Sequence, residues 1–378
     1  MRWARVVVGL GLLLAAVPAL AAERPRIDNA QMETRSAAGG LAAQVKALAG
    51  QPGPLWIGYA VPLAEGRHSS CCSNWGDGGG CCRLESNSNS FNIGDRDGSV
   101  LLEGPRQLVV LLRAEHGAVG KIRSYTDGCA LDAGGLRFVW LTDVVPAESV
   151  ALLRGYVGTA REDSEEHVDG SALAPHPSAS AGGSAVAERR GHLGAGLAAI
   201  ALHADPSADV ALEEMVAPNQ PERVRGKAAF WMGVARGRRG YETLKRMLNN
   251  DPSEDVQEKV VFALSQSKEP EALDTLIQTA RSHRSTGVRG TALFWLGQKA
   301  GKKAAAAITE AAEEDPELEI KKRAVFALSQ LPPEEGVPLL IRVARTHPQP
   351  EVRKKAIFWL GQSKDARALA FFEEVLKR

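Results

Sequence analysis

The stretch VRGKAAFWMG at 224–233 returns as VRGTALFWLG at 288–297 and as VRKKAIFWLG at 352–361. Two further copies lie between these, so that Phe230, Phe262, Phe294, Phe326 and Phe358 stand 32 residues apart. Six residues before each comes a β-branched side chain: Val224, Val256, Val288, Ile320 and Val352. A third apolar column runs in the same register through Leu212, Leu244, Leu276, Ile308, Leu340 and Phe372.

The 3.6-residue period turns each copy into two helices. Val224, Ala228 and Phe230 or Trp231 fall near one face of a first helix, and Leu244, Met247 and Leu248 near one face of a second. A short turn joins them, and a loop such as NNDPSED at 249–255 follows, with Asp251-Pro252 and Asp315-Pro316 placed to start the next helix. One such hairpin cannot bury its own apolar face, whereas stacked neighbours can. The predicted fold is therefore multidomain: an all-α right-handed solenoid over 191–378, of about five to six 32-residue repeats, behind a small N-terminal α+β domain. The five phenylalanines are the expected repeat core.

The Val-Arg start, the Ala-Ala pair and the Leu-Gly ending resemble HEAT-like repeats of the short bacterial kind found in phycobilisome-lyase-like proteins, with an ARM-type fold. The resemblance covers about half of the chain and implies an α-solenoid; such repeats serve many unrelated roles. Deoxyhypusine hydroxylases share this architecture and take metal ligands from His-Glu steps. No such step stands in the array, where His192, His203, His283 and His347 are followed by Leu, Ala, Arg and Pro. The resemblance therefore carries no catalytic site over to this chain, and no residue marks a tetrapyrrole partner.

The copies alternate. Trp231, Trp295 and Trp359 follow the phenylalanine in one set, Ala263 and Ala327 in the other, and Gly233, Gly297 and Gly361 alternate with Ser265 and Ser329. Large-against-small packing, each Trp filling space left by a neighbouring Ala, explains a 64-residue unit; a surface row of tryptophans that binds a ligand is the alternative. A basic column, Arg225, Arg289, Lys321 and Arg353, is expected to pair with carboxylates of its own or adjacent loops, among them Glu222, Asp255, Glu319 and Glu351. A stripe for an anionic partner is the second reading. A loop column reads Asn219, Asp251, His283, Asp315, His347; there a His is expected to hydrogen-bond an Asp one repeat away, rather than to hold a metal or sense pH.

Outside the array, Arg2 and Arg5 precede an apolar run that ends near Ala19-Leu20-Ala21, the pattern of a cleaved signal peptide over 1–21. No other stretch is apolar enough to span a bilayer. Residues 22–161 hold predicted helices at 37–49 and 146–157 and strands at 55–61, 107–113, 119–126 and 136–141. Residues 162–190, rich in Ser, Ala, Gly and Pro, read as a flexible linker. Cys71, Cys72, Cys81, Cys82 and Cys129 are all in the N-terminal half, and after export they read as a disulfide framework with one cysteine left over; a metal site with His68 is the alternative.

With 46 basic and 45 acidic residues the formal net charge is +1, which gives no global field for nucleic acid. No nucleophile elbow, zinc-binding His pair or phosphate loop is present, so neither catalytic residues nor a cofactor are expected. The functional expectation is a non-catalytic periplasmic or secreted scaffold that binds a protein or peptide. The alternative is an envelope enzyme with its active or metal site in the N-terminal domain and the solenoid positioning substrate.

Overall fold

The structure, a computed structural model, describes residues 24–65, 82–85, 105–159, 182–299 and 301–377, with the backbone alone at 159 and 182–191. The N-terminal part runs β1 (Ile27–Asp28), β2 (Gln31–Ser36), α1 (Leu41–Ala49), β3 (Leu55–Pro62), β4 (Cys82–Arg83), β5 (Gln107–Glu115), β6 (Ala118–Thr126), β7 (Leu131–Asp132), β8 (Arg137–Thr142) and α2 (Pro146–Thr159). Five strands form a mixed sheet in the order β2-β8-β3-β5-β6, with β8 parallel to both β2 and β3 and the other pairs antiparallel.

Side-chain alternation divides this sheet into two buried faces. Leu55, Ile57, Tyr59, Leu108, Val110, Leu112, Val139 and Leu141 join the main core on the helical side. Trp56, Val109, Leu111, Phe138 and Trp140 turn the other way, onto a second core that contains Cys82, Leu84, Cys129 and Leu131. There β7 pairs between β1 and β4 in a small parallel sheet. Gly58 lets β3 sit beneath Phe138, because a Cβ at Gly58 would come within 2.8 Å of that ring. Both helices and the strands at 55–61, 107–113, 119–126 and 136–141 thus form close to their predicted bounds, while β2, polar and half-exposed, had no apolar signal to mark it.

The array consists of α3 (Gly182–Leu202), α4 (Ser207–Met215), α5 (Glu222–Ala235), α6 (Gly237–Asn250), α7 (Glu254–Gln266), α8 (Ala272–Ser282), α9 (Thr286–Gln298), α10 (Lys302–Glu314), α11 (Leu318–Gln330), α12 (Pro333–Thr346), α13 (Pro350–Gln362) and α14 (Ala366–Leu376). The odd-numbered helices from α3 to α13 stack in one row, each against the next. Helix starts follow local chemistry: Ser253 and Ser285 accept from the backbone N–H of Val256 and Val288, capping α7 and α9.

α3 begins at Gly182, inside the stretch read as a linker, so the array starts earlier than Gly191. It packs on β6 and α2, and a single apolar core runs from Ala37 to Phe371 through both parts of the chain. Backbone hydrogen bonds join the two at Ala64 N–H to Leu202 O, 2.8 Å, and Ala204 N–H to Pro62 O, 2.9 Å. The seam is closed by buried polar groups: Ser149 Oγ lies 2.9 Å from the Tyr59 hydroxyl and 2.8 Å from His203 Nε2. His203 Nδ1 sits 2.7 Å from the Ala199 carbonyl, which can only accept, so the neutral imidazole keeps its proton there. Residues 162–181 and the segment 1–21 lie outside the described residues.

Candidate interaction surface

The phenylalanine column, expected to fill the core, lies at its edge. Phe230, Phe262, Phe294 and Phe326 are half-buried and Phe358 is 52% exposed. The core row of the same helices is made instead by residues such as Val224, Ala228, Ala229 and Met232, all fully buried. Six residues are one and two-thirds helical turns, which carries Phe230 off the stripe that Val224 begins.

At this edge the phenylalanines meet one another and Trp231, Trp295 and Trp359, which pack against the core. Trp231 meets Phe230 edge-on at 5.3 Å; Phe230 stacks on Phe262 at 5.6 Å; Phe262 lies 4.6 Å from Trp295; and Trp295 meets Phe294 at 5.0 Å. Phe294 then stacks on Phe326 at 6.1 Å, Phe326 lies 4.9 Å from Trp359, and Trp359 meets Phe358 at 5.0 Å. The eight rings are a continuous ladder across α5, α7, α9, α11 and α13. Its last step opens on a shallow cleft of about 370 Å³ lined by Lys322, Glu351, Lys354, Lys355 and Phe358, with Lys355 Nζ 5.6 Å from the centres of both Phe358 and Trp359.

The ladder also follows the alternation of the copies. A Cβ on Gly233 would overlap the Ala263 carbonyl, and one on Gly297 would lie 2.7 Å from the Ala327 carbonyl. Gly and Ala therefore let α5 approach α7, and α9 approach α11, backbone to backbone, with phenylalanine stacked on phenylalanine. Between α7 and α9, and between α11 and α13, where Ser265 and Ser329 stand in place of Gly, the seam is a Phe–Trp contact.

Arg225, Arg289 and Lys321 of the basic column are buried and Arg353 is half-buried, so the column is not a surface stripe. Arg225 donates to both oxygens of Asp251 at 2.8 and 2.9 Å and to the carbonyl of Gln220, with Arg225 4% and Asp251 3% exposed. Arg289 donates to one oxygen of Asp315, to the Ala280 carbonyl at 3.3 Å and to Glu317 at 2.9 Å. Lys321 donates to the Glu313 carbonyl, and Arg353 to the carbonyls of His347 and Pro348. The carboxylates that answer the two buried arginines are thus Asp251 and Asp315, and the basic and loop columns are one device.

The expected His–Asp bridges do not form. His283 Nδ1 accepts from Ser285 N–H and its Nε2 faces the Leu248 carbonyl at 3.4 Å; His347 Nδ1 accepts from Gln349 N–H. The Nδ1 contacts shape each histidine's own loop, and the His283–Leu248 contact reaches back one repeat to the end of α6. Among the described residues, no group of three or more His, Cys, Asp and Glu is placed to hold a metal, and no helix is long and apolar enough to cross a membrane. Cys82 and Cys129 are 2% exposed and each is disulfide-bonded; Cys71, Cys72 and Cys81 lie outside the described residues.

Residues 208–297 and 305–378 match the family model of HEAT repeats. From α4 onward the helical array therefore carries HEAT repeats. Among solved structures, the chain resembles the complex of CpcE and CpcF of phycocyanin lyase from Nostoc sp. PCC7120 at 22% identity, over 42% of this chain and 100% of that one, with a TM-score of 0.32. It resembles human deoxyhypusine hydroxylase in complex with glycerol at 17% identity, over 61% and 90%, with a TM-score of 0.24. No curated protein matches the chain.

Proposed function

We propose that this HEAT-repeat protein is a non-catalytic, exported scaffold that holds a protein or peptide partner against its ladder of rings. The observation that carries the reading is the ladder's continuity: eight aromatic rings in contact, none fully buried, along five successive helices. Aromatic side chains supply large contact area with little rotamer entropy to lose, and stacked repeats present them on a long surface. The buried Arg225–Asp251 and Arg289–Asp315 pairs fix the pitch between hairpins, so that the rings stay in register. Export is supported by the basic and apolar order of residues 1–21 and by the clustered cysteines.

A displayed peptide library selected on the full chain, with counter-selection on Phe358→Glu, tests this reading. Peptides that bind the wild-type chain and lose at least tenfold in affinity with the variant are expected. Equal binding to both, or no enrichment over an unrelated helical protein, overturns it.

A further inference from the structure

One pair in the basic and loop columns lacks the acceptor that its counterparts have. An offset of 26 residues brings Arg225 to Asp251 and Arg289 to Asp315, so that each buried guanidinium meets a carboxylate. The same offset sets Lys321 opposite His347, a cation against an imidazole. Lys321 is 8% exposed and His347 4%, so this corner is as buried as the two Arg–Asp corners.

Donors there outnumber acceptors. His347 Nδ1 accepts from Gln349 N–H, which leaves the ring proton on Nε2, and Nε2 is buried with no hydrogen-bond partner. Lys321 Nζ has three N–H groups, and among the described residues it bonds the Glu313 carbonyl and no carboxylate. The acidic side chains of this segment are engaged elsewhere: Glu313 with Arg342, Asp315 and Glu317 with Arg289, Glu319 with Lys322 and Arg323. Gln349 has a buried side-chain oxygen that is likewise unbonded, and an amide can present its N–H₂ there instead.

The array supplies its own control one 64-residue unit earlier, where Gln257 stands at the position of Lys321 and His283 at that of His347. Gln257 donates to the Asp251 carbonyl, and His283 Nε2 faces the Leu248 carbonyl. With an uncharged partner, the histidine corner closes on backbone oxygens alone. The later corner adds a charge and leaves the imidazole N–H unanswered.

We infer that a halide-sized anion, chloride in salt solution, binds between Lys321 Nζ and His347 Nε2, in the place that the Asp251 and Asp315 carboxylates hold in the other corners. A water molecule would satisfy the Nε2–H but leave the buried ammonium without a counter-charge. Burial of both donors favours a small ion over a bulky one. The site stands apart from the ring ladder and does not depend on what the ladder binds.

Thermal unfolding of the full chain in sodium chloride and in sodium gluconate, at equal ionic strength, tests the inference. The wild type is expected to melt about 2–4 °C higher in chloride, with a shift that saturates as a single site does. His347→Asp places a carboxylate opposite Lys321, as Asp315 stands opposite Arg289, and is expected to melt at the same temperature in both salts. Lys321→Gln restores the pairing of Gln257 with His283 and is expected to lose the difference as well, which keeps the test decisive where His347→Asp does not fold. Equal melting of the wild type in both salts would mean that water alone fills the corner, and a chloride effect that persists in the folded variants would place the ion elsewhere; either result overturns the inference.

Discussion

Arg225 and Asp251 form a two-pronged ion pair at 2.8 and 2.9 Å inside the repeat stack, joining the first helix of one copy to the loop that leads into the next. Asp251 also accepts from the Ser253 backbone N–H, so one carboxylate shapes the turn and neutralises the guanidinium. Removing it strands a buried cation. Asp251→Ala is predicted to cost about 3–5 kcal/mol in urea unfolding, while replacing both partners by apolar residues of similar size costs far less. A single-variant loss below about 1 kcal/mol is the range of an exposed pair and would contradict the burial.

Gly233 sits where Ala is normally the better helix former, by about 1 kcal/mol. Here the missing Cβ is what admits the Ala263 carbonyl. Gly233→Ala is therefore predicted to lower stability by about 1–3 kcal/mol through overpacking. A raised melting temperature would show that α5 and α7 have room to spare.

His203 is buried between the sheet and the array, and burial pushes its pKa down to about 4; nearby Asp205 acts in the opposite sense and Arg236 in the same one. The unfolded imidazole titrates near 6.5. Between these values the unfolded chain binds more protons than the folded one, so stability rises with pH across that window and is lost as pH falls from about 6.5 to 4. The integrated loss is about 3 kcal/mol. Urea midpoints measured from pH 7 to pH 4 should fall more steeply for the wild type than for His203→Gln. Parallel curves would mean that the seam opens without titrating this residue.

The sequence made the array legible because a 32-residue period recurs whatever each position does. It did not say which way a repeating residue points. Recurrence alone places Phe230 in the core, while its offset from Val224 turns it away from the buried stripe. The burial of Arg225 was not readable, since it depends on a carboxylate 26 residues later returning over the helix end. Nor was the Tyr59–Ser149–His203 seam: three ordinary residues, far apart in sequence, meet only because α3 packs directly on the sheet.

Lys355 stands over two rings at the open end of the ladder and is half-exposed. Lys355→Ala is predicted to weaken a ladder-bound peptide by about 0.5–2 kcal/mol, without changing the unfolding midpoint by more than about 0.5 kcal/mol. Isothermal titration of wild type and variant with a selected peptide measures the first quantity and urea unfolding the second. Unchanged affinity would remove the lysine from the surface that binds.

Side-chain footprinting of the full chain with and without a selected peptide tests the central claim most directly. The account predicts that protection from hydroxyl radicals appears at Trp295, Phe326, Phe358 and Trp359 together. Protection confined to α6, α8, α10 and α12, with the ladder rings as reactive as in the free chain, would contradict it.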